Sequence, residues 1–281
     1  MNIGLVLSGG MAKGAFQIGA LKAIDNFIPL GDIKCISCSS VGVLNGYSYA
    51  IERLDVAEKM WKDICNNDNR LFIGQMLRST MLQQKIIDIC NTEKNVVSNF
   101  YCSLLDINRR NIIYKDISSV DRESIAMYLK ASVAMPIYNK AVEIGESSYF
   151  DGAMVDNIPV YPLLKKNLDY IICIYFDDIC YKFENTHFDN KIIKITFPSK
   201  GFIKRSVVFD RAYIENMITT GYDTAMEILQ PIFNKGYENI EHIYSYIEGM
   251  NTNESSLRIT GDMLVTNLNK ITQRLTKREI L

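Results

Sequence analysis

Hydrophobic positions open the chain with a short buried run. Residues 3–7 (IGLVL) are closed by Ser8, Gly9 and Gly10, the pattern of a strand that ends in a tight loop. From Ala15 to Phe27, the residues Phe16, Ala20, Ala23, Ile24 and Phe27 fall on one face at helical period, and Pro29 closes the helix. A second strand is predicted over 33–38 (IKCISC); it runs into Ser39 and Ser40, and a helix follows from Val43 to Ile51. This βαβα opening predicts a parallel sheet with right-handed crossovers, whose ligands gather at the carboxyl ends of the strands.

The stretch from Glu52 to about Lys130 reads as mainly helical, with Leu54, Met60, Trp61 and Ile64 on one stripe. Segments from Tyr138 to Ile144 and Ser148 to Phe150 flank Gly145-Glu146 and predict a hairpin, with Asp151-Gly152 just beyond it. Apolar runs from Tyr170 to Phe176 and from Lys191 to Phe197 fit core strands of the same sheet. The pattern then turns helical from Phe209 to Phe233. In a last helix Leu264, Leu268, Ile271 and Leu275 form an apolar stripe, and Lys270, Arg274, Lys277 and Arg278 add positive charge. Such a helix either docks on its own domain or lies on anionic lipid. The expected organisation is an α/β domain over 1–235, with 52–130 as a helical lid or cleft region inside it, and a helical extension over 236–281.

Composition narrows the class. With 281 residues, 48% hydrophobic and 22% charged, the chain is able to bury a real core, which excludes disordered and coiled-coil readings. Thirty-one Lys and Arg against thirty-two Asp and Glu leave no global field that would select nucleic acid. Any anionic partner must be recognised locally. The cysteines (Cys35, Cys38, Cys65, Cys90, Cys102, Cys173 and Cys180) are odd in number and lie mostly in apolar stretches, as reduced core residues do. Cys35 and Cys38 spell C-x-x-C, but a second pair is missing and His187 and His242 are the only histidines, so no metal site is expected. The N-terminus lacks a basic region before its apolar run, and the longest uncharged segment, 35–51, falls short of the ~20 apolar residues a span requires. A cytoplasmic protein, soluble or peripheral on membranes, is expected; a leaderless secretion route stays open.

Three elements carry candidate chemistry. Cys38-Ser39-Ser40-Val41-Gly42 puts Ser40 at the nucleophile position of a G-x-S-x-G turn between strand and helix, with Cys38 where the first glycine is usual. The alternative is a turn serine without a chemical role. Ser8-Gly9-Gly10-Met11-Ala12-Lys13-Gly14 is a loop whose amides, with a helix N-terminus behind them, suit a phosphate or an oxyanion. Neither the Walker A pattern nor G-x-G-x-x-G is satisfied, which leaves a nucleotide-binding reading weak, and a plain strand-to-helix turn needs the same small residues. Asp151-Gly152 is usually only a turn, yet a buried carboxylate at a strand end can act as base for a serine. Neither histidine falls at a strand end, so a Ser/Asp pair fits the inventory better than a Ser-His-Asp triad.

In order, LSGGMAKGAFQIGAL, CSSVGVLNG and DGAMVDNIPV resemble the patatin-like phospholipase family, and Ala131-Ser132-Val133-Ala134-Met135-Pro136 looks like its A-S-x-A-x-P block. The resemblance is close over about 4–160 and looser to about 230. It implies a three-layer α/β/α sandwich with a mostly parallel central sheet, and hydrolysis of fatty-acyl esters in phospholipids or related lipids, with no metal or organic cofactor. Ser40 would be the nucleophile and Asp151 its base, and the amides of Gly9, Gly10 and Met11 would form the oxyanion hole. Lys13 takes the place of the family's Arg or Lys. The implied partners are a lipid substrate and a membrane surface. Two departures matter: Met11 replaces a glycine at a position where positive φ would strain it, and Cys38 alters the turn. They keep open a second reading, a non-catalytic lipid-binding or scaffold protein of the same fold.

Overall fold

A computed structural model describes residues 1–64, 71–72, 80–92, 94–96, 98–136, 138–176, 189–197, 208–209, 211–251 and 278–281. In chain order its elements are β1 (Ile3–Leu7), α1 (Gly14–Ile24), β2 (Ile33–Cys38), α2 (Val41–Ala50), α3 (Leu54–Ile64), β3 (Leu71–Phe72) and α4 (Thr80–Cys90). Next come β4 (Asn99–Asp106), β5 (Asn111–Asp116), α5 (Arg122–Ser132), β6 (Val142–Ile144), β7 (Ser147–Asp151), β8 (Tyr170–Tyr175) and β9 (Ile192–Thr196). The chain continues with β10 (Val208–Phe209), α6 (Arg211–Phe233), a helix α7 over 240–251, and β11 (Arg278–Ile280).

The central sheet has the order β11-β5-β4-β2-β1-β8-β9, and β7 joins it at β4 with β6 beside it. Pairing is parallel from β4 through β2, β1 and β8 to β9; the β4–β5 and β4–β7 pairs are antiparallel. This is the expected α/β/α fold, a mixed, mostly parallel sheet flanked by helices. Its strands alternate between two buried faces, which is why they read as continuous apolar runs. Tyr170, Ile172 and Ile174 of β8 join the larger core under the helices, whereas Ile171, Cys173 and Tyr175 join a smaller one with Val160, Leu163 and Leu168.

α1 is buried on nearly every side, not on a single stripe, because α6 lies across it. Gly19 and Gly221 make the crossing possible. A Cβ on Gly19 would come within 1.9 Å of the Ile218 carbonyl oxygen, and one on Gly221 within 2.1 Å of the Phe16 carbonyl oxygen. The helix stops at Ile24, short of Phe27, in a turn closed by Phe27 N–H donating to the Ile24 carbonyl.

Two expectations need correction. Among the described residues the stretch 52–130 is not helical throughout: beside α3, α4 and most of α5 it contributes β4 and β5, joined by a turn at 107–110, and β4 is a central strand. The run FYCSLL is apolar on both faces, so it lacks the alternation that marks a half-buried strand. Arg278 does not continue a terminal helix; it begins β11, which pairs with β5 through Arg278 and Ile112. The rest of that predicted helix lies outside the described residues, as do Cys65, Cys180 and His187. Cys35, Cys38, Cys90, Cys102 and Cys173 are buried free thiols. No helix of the described residues is long and apolar enough to cross a membrane.

Candidate active site

The carboxyl ends of β1, β2, β7 and β8 converge on one pocket, and each supplies part of its wall. At the end of β2, Cys38 pairs with Leu7 of β1 on one side and Cys102 of β4 on the other. The chain then turns sharply into α2 through Ser40, whose backbone is held at φ 52° and ψ −133°. Two glycines allow that turn. A Cβ on Gly42 would sit 2.7 Å from the carbonyl oxygens of Leu7 and Ser8, and one on Gly46 would sit 2.5 Å from the Cys38 sulfur. The Cys38 thiol therefore fills room that Gly46 leaves, and the strand keeps its pairing to its last residue. Beneath the turn, Ser103 Oγ donates to Ser39 Oγ (2.8 Å) and Ser39 Oγ donates to the Asp156 carbonyl (3.2 Å).

Sheet register brings Asp151 to the same place. One edge of β4 pairs first with β2, ending at Cys102 opposite Cys38, and then with β7, beginning at Leu104 opposite Asp151. Two residues of strand rise about 7 Å. Thus β2 and β7 approach end to end along one strand, and the Ser39–Ser40 turn leaves the sheet at the gap. Gly152 is needed by the same closeness, since a Cβ there would lie 2.5 Å from the Ser103 carbonyl carbon. The Asp151 carboxylate is 2% exposed and accepts from the Ala153 amide at 2.9 Å. Burial pushes its pKa up to about 7, although hydrogen bonds from Ser40 and the Ala153 amide pull in the opposite direction.

The loop after β1 closes the third side. Gly9 N–H donates to the Asn157 carbonyl (3.3 Å), and the Asn157 amide Nδ2 donates back to the Gly9 carbonyl at 3.3 Å. The Gly9 N–H is therefore engaged, contrary to its expected place among three available donors. The amides of Gly10 and Met11 have no backbone acceptor among the described residues. Met11 does adopt positive φ, 53°, and thereby holds the conformation its glycine-like position requires. Gly10 is extended and lies against Phe176, whose ring would meet a Cβ there at 2.3 Å.

The pocket has a volume of about 340 Å³. Its polar side comprises Ser40, Asp151, Asn157 and Lys13, and its apolar side Met11, Met135, Met154 and Phe176. Lys13 Nζ stands 5.4 Å from the centre of the Phe176 ring. No described residue of 52–130 lines it, so the expected lid or cleft from that region has no part here among the described residues. His242 is elsewhere, on α7, with Nε2 3.4 Å from the Pro231 carbonyl oxygen. A hydroxyl, a carboxylate that titrates near neutrality and two unengaged amides are the ingredients of base-assisted acyl transfer. The pocket positions of Asn157, Phe176 and Met135 were not legible in sequence: Asn157 and Met135 sit in quoted motifs without a distinguishing signal, and Phe176 is an ordinary apolar residue until the pocket is seen.

A family model described as patatin-like phospholipase matches residues 5–164. That is more than half of the 281 residues, and the chain belongs to the patatin-like phospholipase family, a family of lipid hydrolases. No curated protein sequence matches it. Similar solved structures include VipD from Legionella pneumophila, at 12% identity and a TM-score of 0.49 over 82% of this chain and 67% of that one. The type III effector protein ExoU is similar at 15% identity and a TM-score of 0.40, over 82% of this chain and 53% of its own. The heterodimeric ExoU–SpcU complex from Pseudomonas aeruginosa is similar at 13% and 0.40, over 94% and 61%. The chain thus spans between about half and two thirds of the lengths of these proteins.

Proposed function

We propose that this protein is a serine acyl hydrolase that cleaves fatty-acyl esters of phospholipids or related lipids through an acyl-enzyme, with Ser40 as nucleophile and Asp151 as its base. The Ser40 oxygen attacks the ester carbonyl carbon and its proton passes to Asp151. The oxygen that becomes negative is held by the amides of Gly10 and Met11. The tetrahedral adduct collapses, the carbon–oxygen bond to the alcohol breaks, and the alcohol leaves with the proton from Asp151. Water then attacks the acyl-enzyme, gives its proton to Asp151, and the fatty acid departs as Ser40 recovers that proton. Met135, Met154 and Phe176 offer an apolar wall to the acyl chain, while Lys13 is a cation for the anionic part of the substrate. Met154, 56% exposed at this wall, offers apolar contact to a lipid surface.

The observation that carries the reading is the meeting of a serine on a left-handed strand-to-helix turn with a buried carboxylate raised to about 7, beside two amides that lack acceptors. Removing one such donor typically costs a hundred- to thousandfold in rate, roughly 2.7 to 4 kcal/mol. The test is hydrolysis of a short p-nitrophenyl ester and of a mixed phospholipid extract, the latter followed by mass spectrometry, by wild type, Ser40→Ala and Asp151→Asn. Wild type alone should release fatty acid and become labelled by a fluorophosphonate at Ser40. Equal rates in all three proteins would reject the assignment, and lipid binding without labelling would point to a scaffold.

A further inference from the structure

Within the amide-bearing loop the backbone bond from the Lys13 N–H to the Gly10 carbonyl, at 3.1 Å, closes only its helical turn. Neither Gly10 nor Lys13, at the starts of its helical turn and of α1, is capped by a side chain, and Met11 sits in a left-handed conformation that costs about 1 kcal/mol or more for a residue with a Cβ. Something outside the loop must hold it.

Three polar side chains buried beneath it form a single directed chain of hydrogen bonds. Trp61 Nε1 of α3 donates to Asn45 Oδ1 at 2.9 Å. Asn45 Nδ2 of α2 donates to Gln17 Oε1 at 2.8 Å and to the Gly14 carbonyl at 2.9 Å. Gln17 Nε2 of α1 then donates to the Ser8 carbonyl at 2.7 Å. Gln17 and Asn45 are 0% exposed and Trp61 is 1% exposed, and none of their nitrogens or oxygens lacks a partner. The two backbone carbonyls that this chain holds, Ser8 at its end and Gly14 on a branch from Asn45, bracket the loop that carries the Gly10 and Met11 amides. Asn45 also lies on the helix that Ser40 begins, about one turn further on. The indole presses on the loop's last residue as well: a Cβ on Gly14 would meet the Trp61 ring at 2.6 Å.

Burying amides and an indole N–H where aliphatic side chains would pack costs free energy unless every group is paired, and gains a defined geometry when it is. We infer that Gln17, Asn45 and Trp61 are positioning residues, a buried relay that fixes the Gly10 and Met11 amides relative to Ser40. The inference rests on the acyl-hydrolase reading for its consequence in catalysis, but not for its effect on the loop.

Trp61→Phe keeps an aromatic side chain but removes the N–H together with part of the indole; Gln17→Met keeps the length and removes both polar ends. Each is compared with wild type for hydrogen exchange of the peptide covering residues 8–14, for melting temperature, and for kcat and KM on the p-nitrophenyl ester. Faster exchange at 8–14 is expected in both, with kcat down roughly tenfold to a hundredfold and KM within about twofold. Unchanged exchange in a folded variant would overturn the relay, and loosened exchange with unchanged kcat would overturn its positioning role. Loosened exchange in a protein whose wild type never turns over would sink the hydrolase reading and leave the relay standing. Should one variant fail to fold, the other decides.

Discussion

Met11 and Ser40, just past the carboxyl ends of the neighbouring strands β1 and β2, both hold a left-handed backbone, with φ of 53° and 52°. Among the described residues only Glu52 and Arg110 share this property without glycine's freedom, and both stand on outer turns. The pair faces a common pocket. On the proposed mechanism the strain at Met11 is what aims its N–H, so its removal and its prohibition have opposite results. Met11→Gly should leave kcat within about threefold, because glycine adopts the same φ without penalty. Met11→Val should lower kcat roughly a hundredfold or more, because a β-branched residue resists positive φ and turns the amide away. Steady-state ester hydrolysis measures both, and equal activity in the two variants would show that this amide has no part in the chemistry.

Gly10 and Phe176 lie so close that no side chain fits at residue 10 while the ring stays in place. A methyl group on Gly10 would overlap the Phe176 ring, which packs at a tilt against Phe16 and Phe197 at centroid distances of 6.3 and 5.8 Å. Gly10→Ala should therefore displace the loop and cost roughly tenfold to a hundredfold in kcat. Phe176→Leu alone opens the pocket floor and should shift preference toward longer acyl chains. In the double variant the smaller side chain leaves room for the methyl group, and much of the lost kcat should return. The double-mutant cycle checks this: purely additive losses would mean that the two residues do not share the space the distances describe.

Much of this arrangement could be read from the chain before any coordinates. The Ser8–Gly14 loop, the Ser39–Ser40 turn and Asp151-Gly152 each carry local signatures, because tight turns admit few residue types. What stayed hidden was non-local. β4 escaped because Phe100, Tyr101, Cys102 and Leu104 are buried toward two cores at once and show no alternation. Yet β4 is the ruler that lays Asp151 beside the end of β2. Gln17 and Asn45 were equally silent, since a polar residue within a helix reads as a solvent-facing position until another helix is found to cover it. The loss of the Gly9 amide to the Asn157 carbonyl is a contact across 148 positions, which no local pattern encodes.

Burial of Asp151 makes a prediction about pH in which activity and stability run in opposite directions. Its pKa is raised from an ordinary 3.8 to about 7, chiefly by desolvation. As base it must be ionised, so kcat/KM should rise with pH through about 7 and level off above it. Stability follows the other sign. Between pH 4 and 7 the folded protein retains a proton that the unfolded chain has released, so stability falls as pH rises through that window and is flat for this group on either side. Above pH 7 the full penalty of the ionised buried carboxylate is on the order of 4 kcal/mol. Asp151→Asn removes the titration while keeping the shape. Its melting temperature should match that of wild type near pH 4 and exceed it increasingly up to about pH 7, above which the gap holds level, although ester turnover is lost. Calorimetry of the two proteins across this range measures the difference directly, and a gap that does not change with pH would show that the carboxylate is solvated like any surface aspartate.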